Sequence, residues 1–454
     1  MTIARTICLG FLAVILVGTL LLMLPFATSD GSWSNPLVAL FTSTSAVCVT
    51  GLVVVDTGSY FSFWGQLIIL LLIQVGGLGY MTTTTFLILV LGRKFDLRQK
   101  FAIKEPFDSS HLYGSSQNII ISIVATTLIF EILGILLMLN VFSDKYGTFQ
   151  GLWIATFHSI SAWNNAGFSL FSDSLISVGD SFIINFAISI LIIFGGIGYQ
   201  VIIEMYIAIR HKLKNKQERL GFSLNFKVAT STTIALLVAG TITFLITEYN
   251  NQATLGLLNF HNKLLTAWFQ SVTTRTAGFN SIDIKNMTFA GLFLTMGLMF
   301  VGASSNGTGG GIKTTTLCIL TNCTRSVLKG NHEVVMFRRE VPVSLILKAV
   351  AVVFGSTNMV VLMTLLISLS EASLNPTFFD SGVSSLQVLF EVISAFATVG
   401  LSTGITANLS SLSQLLLILT MYVGRVGILV FIAAISKKSQ PRLIQYPEET
   451  LLVG

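Results

Sequence analysis

Eight long apolar stretches alternate with polar connections along the chain. They cover residues 4–27, 65–91, 117–142, 181–209, 227–247, 288–325, 343–370 and 411–435, and the sixth contains a polar interruption. About 20 apolar residues in a helix are enough to cross the hydrocarbon core of a membrane. A shorter, semi-polar segment separates the two members of each consecutive pair. The pattern predicts an all-α membrane protein whose eight transmembrane helices form four pairs, with a re-entrant segment inside each pair.

The four semi-polar segments resemble one another around a glycine. They contain the octapeptides SAVCVTGL (45–52), SAWNNAGF (161–168), VTTRTAGF (272–279) and SAFATVGL (394–401). A second glycine follows each of these loops at nearly constant separation, at Gly76, Gly195, Gly302 and Gly424. Two landmarks that recur together predict four repeats of helix, pore loop and helix around a pseudo-fourfold pore. The repeats are 1–92, 93–213, 214–330 and 331–454, and the last ends in a short cytoplasmic tail.

Basic residues predict the orientation of the chain. Most of the 26 lysine and arginine residues follow the second stretch of a pair, in the groups 93–104, 210–227, 325–348 and 437–442. The opposite side has only Lys145, Lys263, Arg275 and Lys285. Cytoplasmic connections of membrane proteins carry an excess of Lys and Arg. We therefore expect a multi-pass plasma membrane protein with both termini in the cytoplasm and all four loops entering from outside.

Composition supports a membrane protein and argues against other classes. The chain is 53% hydrophobic and 10% charged, and its mean hydropathy is +0.81, whereas soluble proteins average about 25% charged residues. The first apolar stretch is longer than the apolar region of a signal peptide, so it predicts a transmembrane helix. The four cysteines have no metal-ligand spacing, and no catalytic constellation is present, so we expect neither a zinc site nor an enzyme.

The glycine motifs suit the coordination of a bare monovalent cation. Irregular backbone at membrane depth must be buried or line a wet cavity, and backbone carbonyls can replace the hydration shell of potassium. Glycine permits the positive φ that turns a carbonyl inward. The stretches before the loops, such as 35–46 and 383–397, predict short helices whose negative ends face the cavity. The predicted potassium-binding residues are Val49, Thr50, Gly51, Asn165, Ala166, Gly167, Thr276, Ala277, Gly278, Thr398, Val399 and Gly400. The alternative is that the glycines only form turns.

Three aspartates stand just beyond three of the loops. They are Asp56, Asp173 and Asp283, and the fourth repeat has Ile405 and Thr406 at this place. An incomplete acidic ring would concentrate cations at the outer mouth of a pore. Ordinary solvated loop acids remain the alternative.

The polar interruption of the sixth stretch predicts an intramembrane loop over residues 302–316. This stretch is rich in glycine, a poor helix former, and cannot face lipid. A phosphate-binding loop is excluded because Ile312 separates Gly311 from Lys313 and no strand precedes it. We predict a gate below the filter, formed by Gly307, Gly309, Gly310, Gly311 and Lys313. The alternatives are a hinge without a gating role and, for Lys313, a side chain that extends to the interface.

Arg425 lies deep in the eighth stretch, where a charge is costly and should face a cavity or a partner. We predict that it forms a positive barrier together with the intramembrane loop. The alternative is a structural ion pair with Glu391, Glu131 or Glu204.

Over essentially its whole length the sequence resembles the Trk/Ktr/HKT potassium transporters, and specifically their KtrB-type membrane subunits. The filter glycines of that family match Gly51, Gly167, Gly278 and Gly400, and the family also has a gating loop and an arginine corresponding to Arg425. In plant relatives a serine at the first position accompanies sodium transport, so the resemblance with Gly51 implies potassium.

The resemblance further implies partners that the residues themselves do not reveal. They are a second copy of the chain, forming a membrane homodimer, and a ring of cytosolic, KtrA-type regulatory subunits that bind nucleotide. It implies potassium as the substrate, no cofactor in this chain, and a sodium influence on uptake, as in symport. Each chain should hold its own pore because it contains all four loops.

Two other classes of protein remain as alternatives. An alternating-access secondary transporter would require an inverted repeat and charged residues at the midplane. A membrane scaffold or receptor would use the glycines only for packing.

Overall fold

The structure is a computed structural model that describes residues 3–79, 116–214, 221–331, 333–375, 377–380 and 382–435. Predictions for the end of the second apolar stretch, for the basic group 93–104 and for the cytoplasmic tail lie outside these residues. Most of the described residues are helical, and the protein has the architecture of a multi-pass membrane protein.

Four long helices, which we call the long helices, are long and apolar enough to cross a membrane. They are Ile3–Met23, Ser116–Tyr146, Leu224–Glu248 and Val343–Leu374. Apolar side chains on them, such as Leu20, Ile132 and Phe354, are more than half exposed, as expected for surfaces that face lipid. The long helices correspond to the predicted first members of the four pairs.

Each long helix is followed by a short helix that ends just before one of the motif glycines. The short helices are Pro36–Val47, Thr148–Trp163, Phe260–Thr273 and Ser385–Ala397. The first begins with the side-chain cap of Asn35 and a proline at its first position, both of which favour helix initiation. The last begins with a capping box between Ser384 and Gln387. The short helices predicted at 35–46 and 383–397 are therefore confirmed.

The short helices approach the long helices through glycine. A Cβ atom added to Gly18, Gly134 or Gly240 would lie within 3.0 Å of the hydroxyl of a serine on a short helix. The three serines are Ser43, Ser159 and Ser271, and each donates to a carbonyl oxygen of its long helix at 2.7–2.8 Å.

The second member of each predicted pair is shorter than expected. Each glycine motif is followed by one further helix, and we call these four helices the third helices. They are Phe63–Leu78, Phe182–Ile197, Phe289–Phe300 and Ser411–Val426. Side chains of Ser62, Ser181, Thr288 and Ser410 cap their N-termini. A helix of 16 residues rises only about 24 Å, less than the hydrocarbon core of about 30 Å.

The prediction of continuous helices over 181–209 and 411–435 is wrong. The chain bends by 102° between Phe182–Ile197 and Tyr199–Leu213, and by 100° between Ser411–Val426 and Ile428–Ile435. Both bends occur at a glycine with positive φ, +99° at Gly198 and +89° at Gly427, which ends a right-handed helix. The residues on both sides are apolar, so hydropathy gives no sign of the bend.

The interruption of the sixth stretch is present. The helix Phe289–Phe300 ends, and Thr314–Leu328 begins after an irregular segment. We call residues 301–313 the intramembrane loop. It is shorter than the predicted 302–316 because residues 314–316 already belong to the following helix.

The prediction of an all-α fold needs one small correction. Val335–Met336 pairs in antiparallel fashion with Arg339–Glu340. The two residues between these strands have φ of +49° and +64°, the left-handed pair that a two-residue hairpin turn requires. The short helices Thr57–Tyr60 and Thr377–Asp380 and four single 3₁₀ turns complete the regular elements of the described chain.

The packing of the third helices explains the second glycine landmark. A Cβ atom on Gly76, Gly195 or Gly424 would lie within 3.0 Å of the carbonyl oxygen of Val47, Trp163 or Phe396. These oxygens lie near the C-terminal ends of the first, second and fourth short helices. Gly302, which follows the helix Phe289–Phe300, packs instead against the carbonyl of Gly310 inside the intramembrane loop.

Candidate functional site

The four motif glycines belong to loops that share a pattern of positive φ angles. We call residues 49–51, 165–167, 276–278 and 398–400 the glycine loops. The first residue and the glycine of each loop both have positive φ. The values are +50° and +87° for Val49 and Gly51, +56° and +69° for Asn165 and Gly167, +69° and +79° for Thr276 and Gly278, and +51° and +94° for Thr398 and Gly400. Positive φ is unfavourable for a β-branched residue, so the surrounding structure must hold these loops in place.

The loops continue directly from the C-termini of the short helices. The amide of Val49 donates to the carbonyl of Ala46 at 3.1 Å, and that of Thr50 donates to Ser45 at 2.8 Å. This pair of bonds is the Schellman closure of a helix, and it recurs in the second and fourth loops. The third loop differs, because the amide of Ala277 donates to Thr273 at 3.0 Å. In the first loop the Ser45 hydroxyl also accepts from the amide of Gly51 at 3.0 Å.

The four glycine loops form a closed ring. A Cβ atom on each glycine would lie within 3.0 Å of the carbonyl oxygen that precedes the glycine of the next loop. The oxygens are those of Ala166 for Gly51, Ala277 for Gly167, Val399 for Gly278 and Thr50 for Gly400. The sequence-predicted ligand residues of all four loops therefore lie together. Their role as cation ligands stays a prediction.

A cavity of about 460 Å³ lies on one side of the ring. Its lining includes the four glycines, Asp56, Asp173, Asp283 and, in the fourth segment, Thr406. The aspartates also cap local turns, since their carboxylates accept from the amides of Ser59, Ser177 and Lys285 at 2.8–3.0 Å. They thus combine the capping of loop acids with a position at the cavity wall.

The fourth segment also contributes a buried acidic group close to the cavity wall. Glu391 is 1% exposed and accepts from the hydroxyls of Ser402 and Thr406 at 2.7 and 2.9 Å and from the amide of Thr403 at 2.8 Å. The sequence alone predicts no role for Glu391 other than that of a partner of Arg425.

The intramembrane loop lies on the opposite side of the ring. Residues that follow the glycines line the cavity, whereas residues that precede them contact this loop. The amide of Gly310 donates to the hydroxyl of Thr398 at 3.1 Å, and a Cβ atom on Gly309 would clash with the hydroxyl of Thr276. The hydroxyl of Thr308 donates to the carbonyl of Trp163 at 3.3 Å. The ring therefore separates the cavity from the loop.

The two ends of the intramembrane loop are hydrogen-bonded to each other, and the loop is also hydrogen-bonded to the helix Phe182–Ile197. The amide of Gly302 donates to the carbonyl of Ile312 at 2.9 Å. The amides of Ser304 and Thr308 donate to the carbonyls of Gly196 and Gly195 at 2.9 and 3.1 Å. Beyond the bend, the amide of Tyr199 donates to Asn306 at 3.2 Å. The predicted gate glycines 307, 309, 310 and 311 all lie in this loop.

Both predicted basic residues bind the loop backbone. The Lys313 ammonium donates to the carbonyl of Gly309 at 2.7 Å, so its side chain does not extend to the interface. The Arg425 guanidinium donates to the carbonyls of Thr308 and Gly76. Arg425 thereby connects the intramembrane loop to the helix Phe63–Leu78.

The three glutamates considered as ion-pair partners of Arg425 have other polar neighbours. Glu131 accepts from the side-chain amide of Asn164 at 3.4 Å, and Glu204 accepts from the amide of Ser223 at 3.1 Å. Glu391 is hydrogen-bonded as described above. The hydrogen bonds of Arg425 thus connect carbonyl oxygens rather than neutralise a carboxylate.

Sequence reasoning missed the burial of Arg275. Its position in the chain predicts a basic residue on the outer side, but Arg275 is 7% exposed and lies three residues before Gly278. Within the described residues its Nε atom has no hydrogen-bond partner. Its position inside the recurring motif was the available signal. The role of Thr308 in the loop had no such signal.

Comparisons with known proteins agree on one family. The model of the TrkH family, described as cation transport protein, matches residues 6–446. The chain is similar to the Ktr system potassium uptake protein B of Bacillus subtilis, with 37% identity covering 99% of this chain and 96% of that protein. It is also similar to the potassium/sodium uptake protein NtpJ of Enterococcus hirae, with 36% identity covering 99% and 97%.

Among solved structures, the crystal structure of the potassium transporter TrkH from Vibrio parahaemolyticus has the same fold. The TM-score is 0.69, and the match covers 94% of this chain and 84% of the other at 18% identity. At this identity the likeness concerns the fold alone.

Proposed function

The chain belongs to the TrkH family of cation transport proteins, and on this basis we propose that it carries potassium ions into the cell across the plasma membrane. The family is one of transporters and not of enzymes. The observation that carries the proposal is the closed ring of four glycine loops between an acidic cavity and a basic, glycine-rich loop. Potassium is the substrate we assign, and the relative from Bacillus subtilis is named for its uptake.

We propose that the ring is the selectivity filter. The eight predicted spans would form four helix–pore loop–helix repeats around a pseudo-fourfold axis, with both termini cytoplasmic. Alternating positive φ turns successive peptide groups in each loop, and inward carbonyls can replace the hydration shell of potassium. The C-terminal, negative ends of the short helices precede the ring and favour a cation there. The aspartates of the cavity would raise the local cation concentration outside the filter.

The intramembrane loop and Arg425 form the gate in this proposal. The loop lies against the inner side of the ring, and its backbone is held by Lys313 and by Arg425. A positive barrier at this level opposes the passage of a cation until the loop moves.

Regulation is proposed from the family alone. A membrane homodimer on a ring of cytosolic nucleotide-binding subunits would control the gate, and sodium would influence uptake. The name of the Enterococcus hirae relative includes both ions.

A second candidate is an alternating-access secondary transporter of another small cation or solute. The bends of 102° and 100° in two third helices favour it, since such transporters use discontinuous helices around their sites. The two candidates differ in the residues that select the ion. A pore selects at the glycine ring, whereas alternating access requires charged midplane ligands.

The function is tested by growth of a potassium-uptake-deficient cell at low potassium, with and without a cytosolic regulatory subunit, and by ⁸⁶Rb⁺ uptake into vesicles. We expect growth and uptake with the natural chain. Gly278→Ala should abolish both, because its Cβ would meet the carbonyl of Val399. Gly31→Ala is the matched control, since Gly31 also has positive φ (+69°) but open space around it. Rescue by the Gly278 variant at the natural level would contradict the filter.

A further inference from the structure

Two threonine hydroxyls of the ring face the intramembrane loop. Thr276 and Thr398 are the first residues of the third and fourth glycine loops, and both are fully buried. The Thr398 hydroxyl accepts the amide of Gly310 at 3.1 Å. The Thr276 hydroxyl lies 3.3 Å from the side-chain amide of Asn165 and packs against Gly309. The intramembrane loop therefore contacts the ring at the hydroxyl oxygens of Thr276 and Thr398, each of which lies two residues before a motif glycine.

The peptide group between residues 309 and 310 binds Lys313 at one end and the ring at the other. Its carbonyl oxygen accepts from the Lys313 ammonium at 2.7 Å, and its N–H donates to Thr398. In a trans peptide the C=O and N–H bonds point in opposite directions. The ammonium therefore holds the negative end of the peptide dipole, and the positive end points at the ring.

Only glycine allows this approach at both positions. A Cβ on Gly309 would lie within 3.0 Å of the hydroxyl of Thr276, and one on Gly310 within 3.0 Å of the hydroxyl of Thr398. The peptide thus fills the space next to the two hydroxyls. A cation leaving the ring would need oxygen ligands at this place, and hydroxyl oxygens can serve as such ligands because they carry two lone pairs.

We infer that the 309–310 peptide occupies the innermost cation position of the filter, so that docking of the loop and binding of potassium at the Thr276 and Thr398 hydroxyls exclude each other. The inference rests on the proposed function and adds its regulation. Potassium that reaches the inner end of the filter displaces the peptide, so the substrate itself favours the open loop. Thr398 is then a positioning residue for the closed loop as well as part of the ring.

The test measures exposure of the loop as a function of potassium. Ser305, which is half-buried, is replaced by Cys in a chain whose four natural cysteines are changed to Ala, and the full chain is placed in vesicles. Modification by a thiol reagent applied from the cytoplasmic side is followed with potassium or with the impermeant cation N-methylglucamine. We expect about two- to tenfold faster modification in saturating potassium, the range that one hydrogen bond of this kind represents.

Variants of the contact separate the loop role from general damage. Thr398→Val should raise the potassium-free modification rate to the rate in potassium and abolish the dependence, whereas Thr398→Ser should retain it. Thr44→Val is the control, because Thr44 is a buried threonine of a short helix whose hydroxyl has no partner among the described residues. It should behave like the parent.

Two outcomes would overturn the inference. One is an equal modification rate of the parent with and without potassium, which decides the matter even if the valine variant does not fold. The other is a potassium dependence that persists in Thr398→Val. Parent vesicles that take up no ⁸⁶Rb⁺ would instead contradict the proposed function, so the two failures are distinguishable.

Discussion

The glycine loops place β-branched residues where the backbone disfavours them. Val49, Thr276 and Thr398 all have positive φ, and each such position costs on the order of 1–3 kcal/mol. The carbonyl oxygens around the ring are therefore fixed by the surrounding helices before any ion arrives. If the ring is the proposed filter, its fixed geometry would favour potassium, because the ring could not contract around a smaller ion without added strain.

Gly51→Ser should weaken the preference for potassium over sodium. The glycine has φ of +87°, and a Cβ atom would lie within 3.0 Å of the carbonyl oxygen of Ala166. The serine must displace this oxygen or leave the left-handed conformation, and both change the ring. We expect the potassium-to-sodium uptake ratio in competition assays to fall by about tenfold, which corresponds to about 1.4 kcal/mol.

Gly31→Ser serves as the control for this experiment. Gly31 is exposed and has φ of +69°, with no atom within 4 Å of an added Cβ. It should leave the ratio unchanged. Equal selectivity of the Gly51 variant and the natural chain would count against the assignment of the first loop to the filter.

At the scale of elements, the third helices connect the ring to the inner half of the protein. In three of them a glycine, Gly76, Gly195 or Gly424, allows close contact with a carbonyl oxygen near the C-terminal end of a short helix. Beyond this contact, positive φ at Gly79, Gly198 and Gly427 ends three of them, and the intramembrane loop follows the other. Among the described residues, the chain changes direction by 102° and 100° after two of these helices, at Gly198 and Gly427.

The sequence predicted this arrangement only in part. The long helices, the short helices and the interruption near residue 302 follow from hydropathy and glycine content. The bends at Gly198 and Gly427 did not, because apolar residues flank both glycines and hydropathy is insensitive to φ. Gly76 and Gly424 were recognised as a repeated landmark, but their contacts depend on tertiary packing. The same holds for the carbonyl partners of Arg425, which are backbone atoms common to every residue.

Gly424→Ala should destabilise the fold. Its Cβ would lie within 3.0 Å of the carbonyl of Phe396, a backbone atom that cannot move aside. Overpacking of this kind costs about 1–3 kcal/mol. We expect a lower apparent melting temperature in detergent, measured by size-exclusion chromatography after heating. Gly297→Ala, in a helix position with no atom within 4 Å of an added Cβ, should keep or raise it. Equal apparent melting temperatures of the Gly424 and Gly297 variants would contradict the overpacking at Gly424.

Arg425→Ala should increase ion flux and make it less dependent on regulation. The guanidinium links Thr308 of the loop to Gly76, and charged hydrogen bonds contribute about 1.5–3 kcal/mol each. We expect at least about tenfold faster ⁸⁶Rb⁺ uptake without a regulatory subunit. Arg425→Lys should be intermediate, because an ammonium does not reproduce the planar fork of arginine.

Deletion of residues 305–311 should produce the same rise in flux, since it removes the predicted barrier. Arg325→Ala, which changes an exposed arginine of the helix Thr314–Leu328, is the control. Uptake that neither Arg425→Ala nor the deletion alters would argue that the loop is a hinge without a gating role.

At the scale of the whole molecule, charge is distributed unequally across the ring. Aspartates line the cavity on one side, and Lys313 and Arg425 bind the loop on the other. This distribution would attract a cation to the first side and oppose it at the second. In the proposed function, selection and control therefore lie on different faces of one ring, and we expect that each can be altered without the other.

One chain contains the whole ring, so each protomer of the proposed homodimer should conduct independently. Co-expression of the natural chain with the non-conducting Gly278→Ala variant, at fixed total protein, tests this. If each chain holds a pore, the ⁸⁶Rb⁺ uptake rate falls in proportion to the natural fraction, to about half in an equal mixture. If a pore required two intact chains, random pairing would leave about a quarter. Co-expression with Gly31→Ala should change nothing, because that glycine lies away from the ring with open space around it. A fall to a quarter would show that the two chains share one conduction pathway, and the ring formed within a single chain would then not be sufficient for transport.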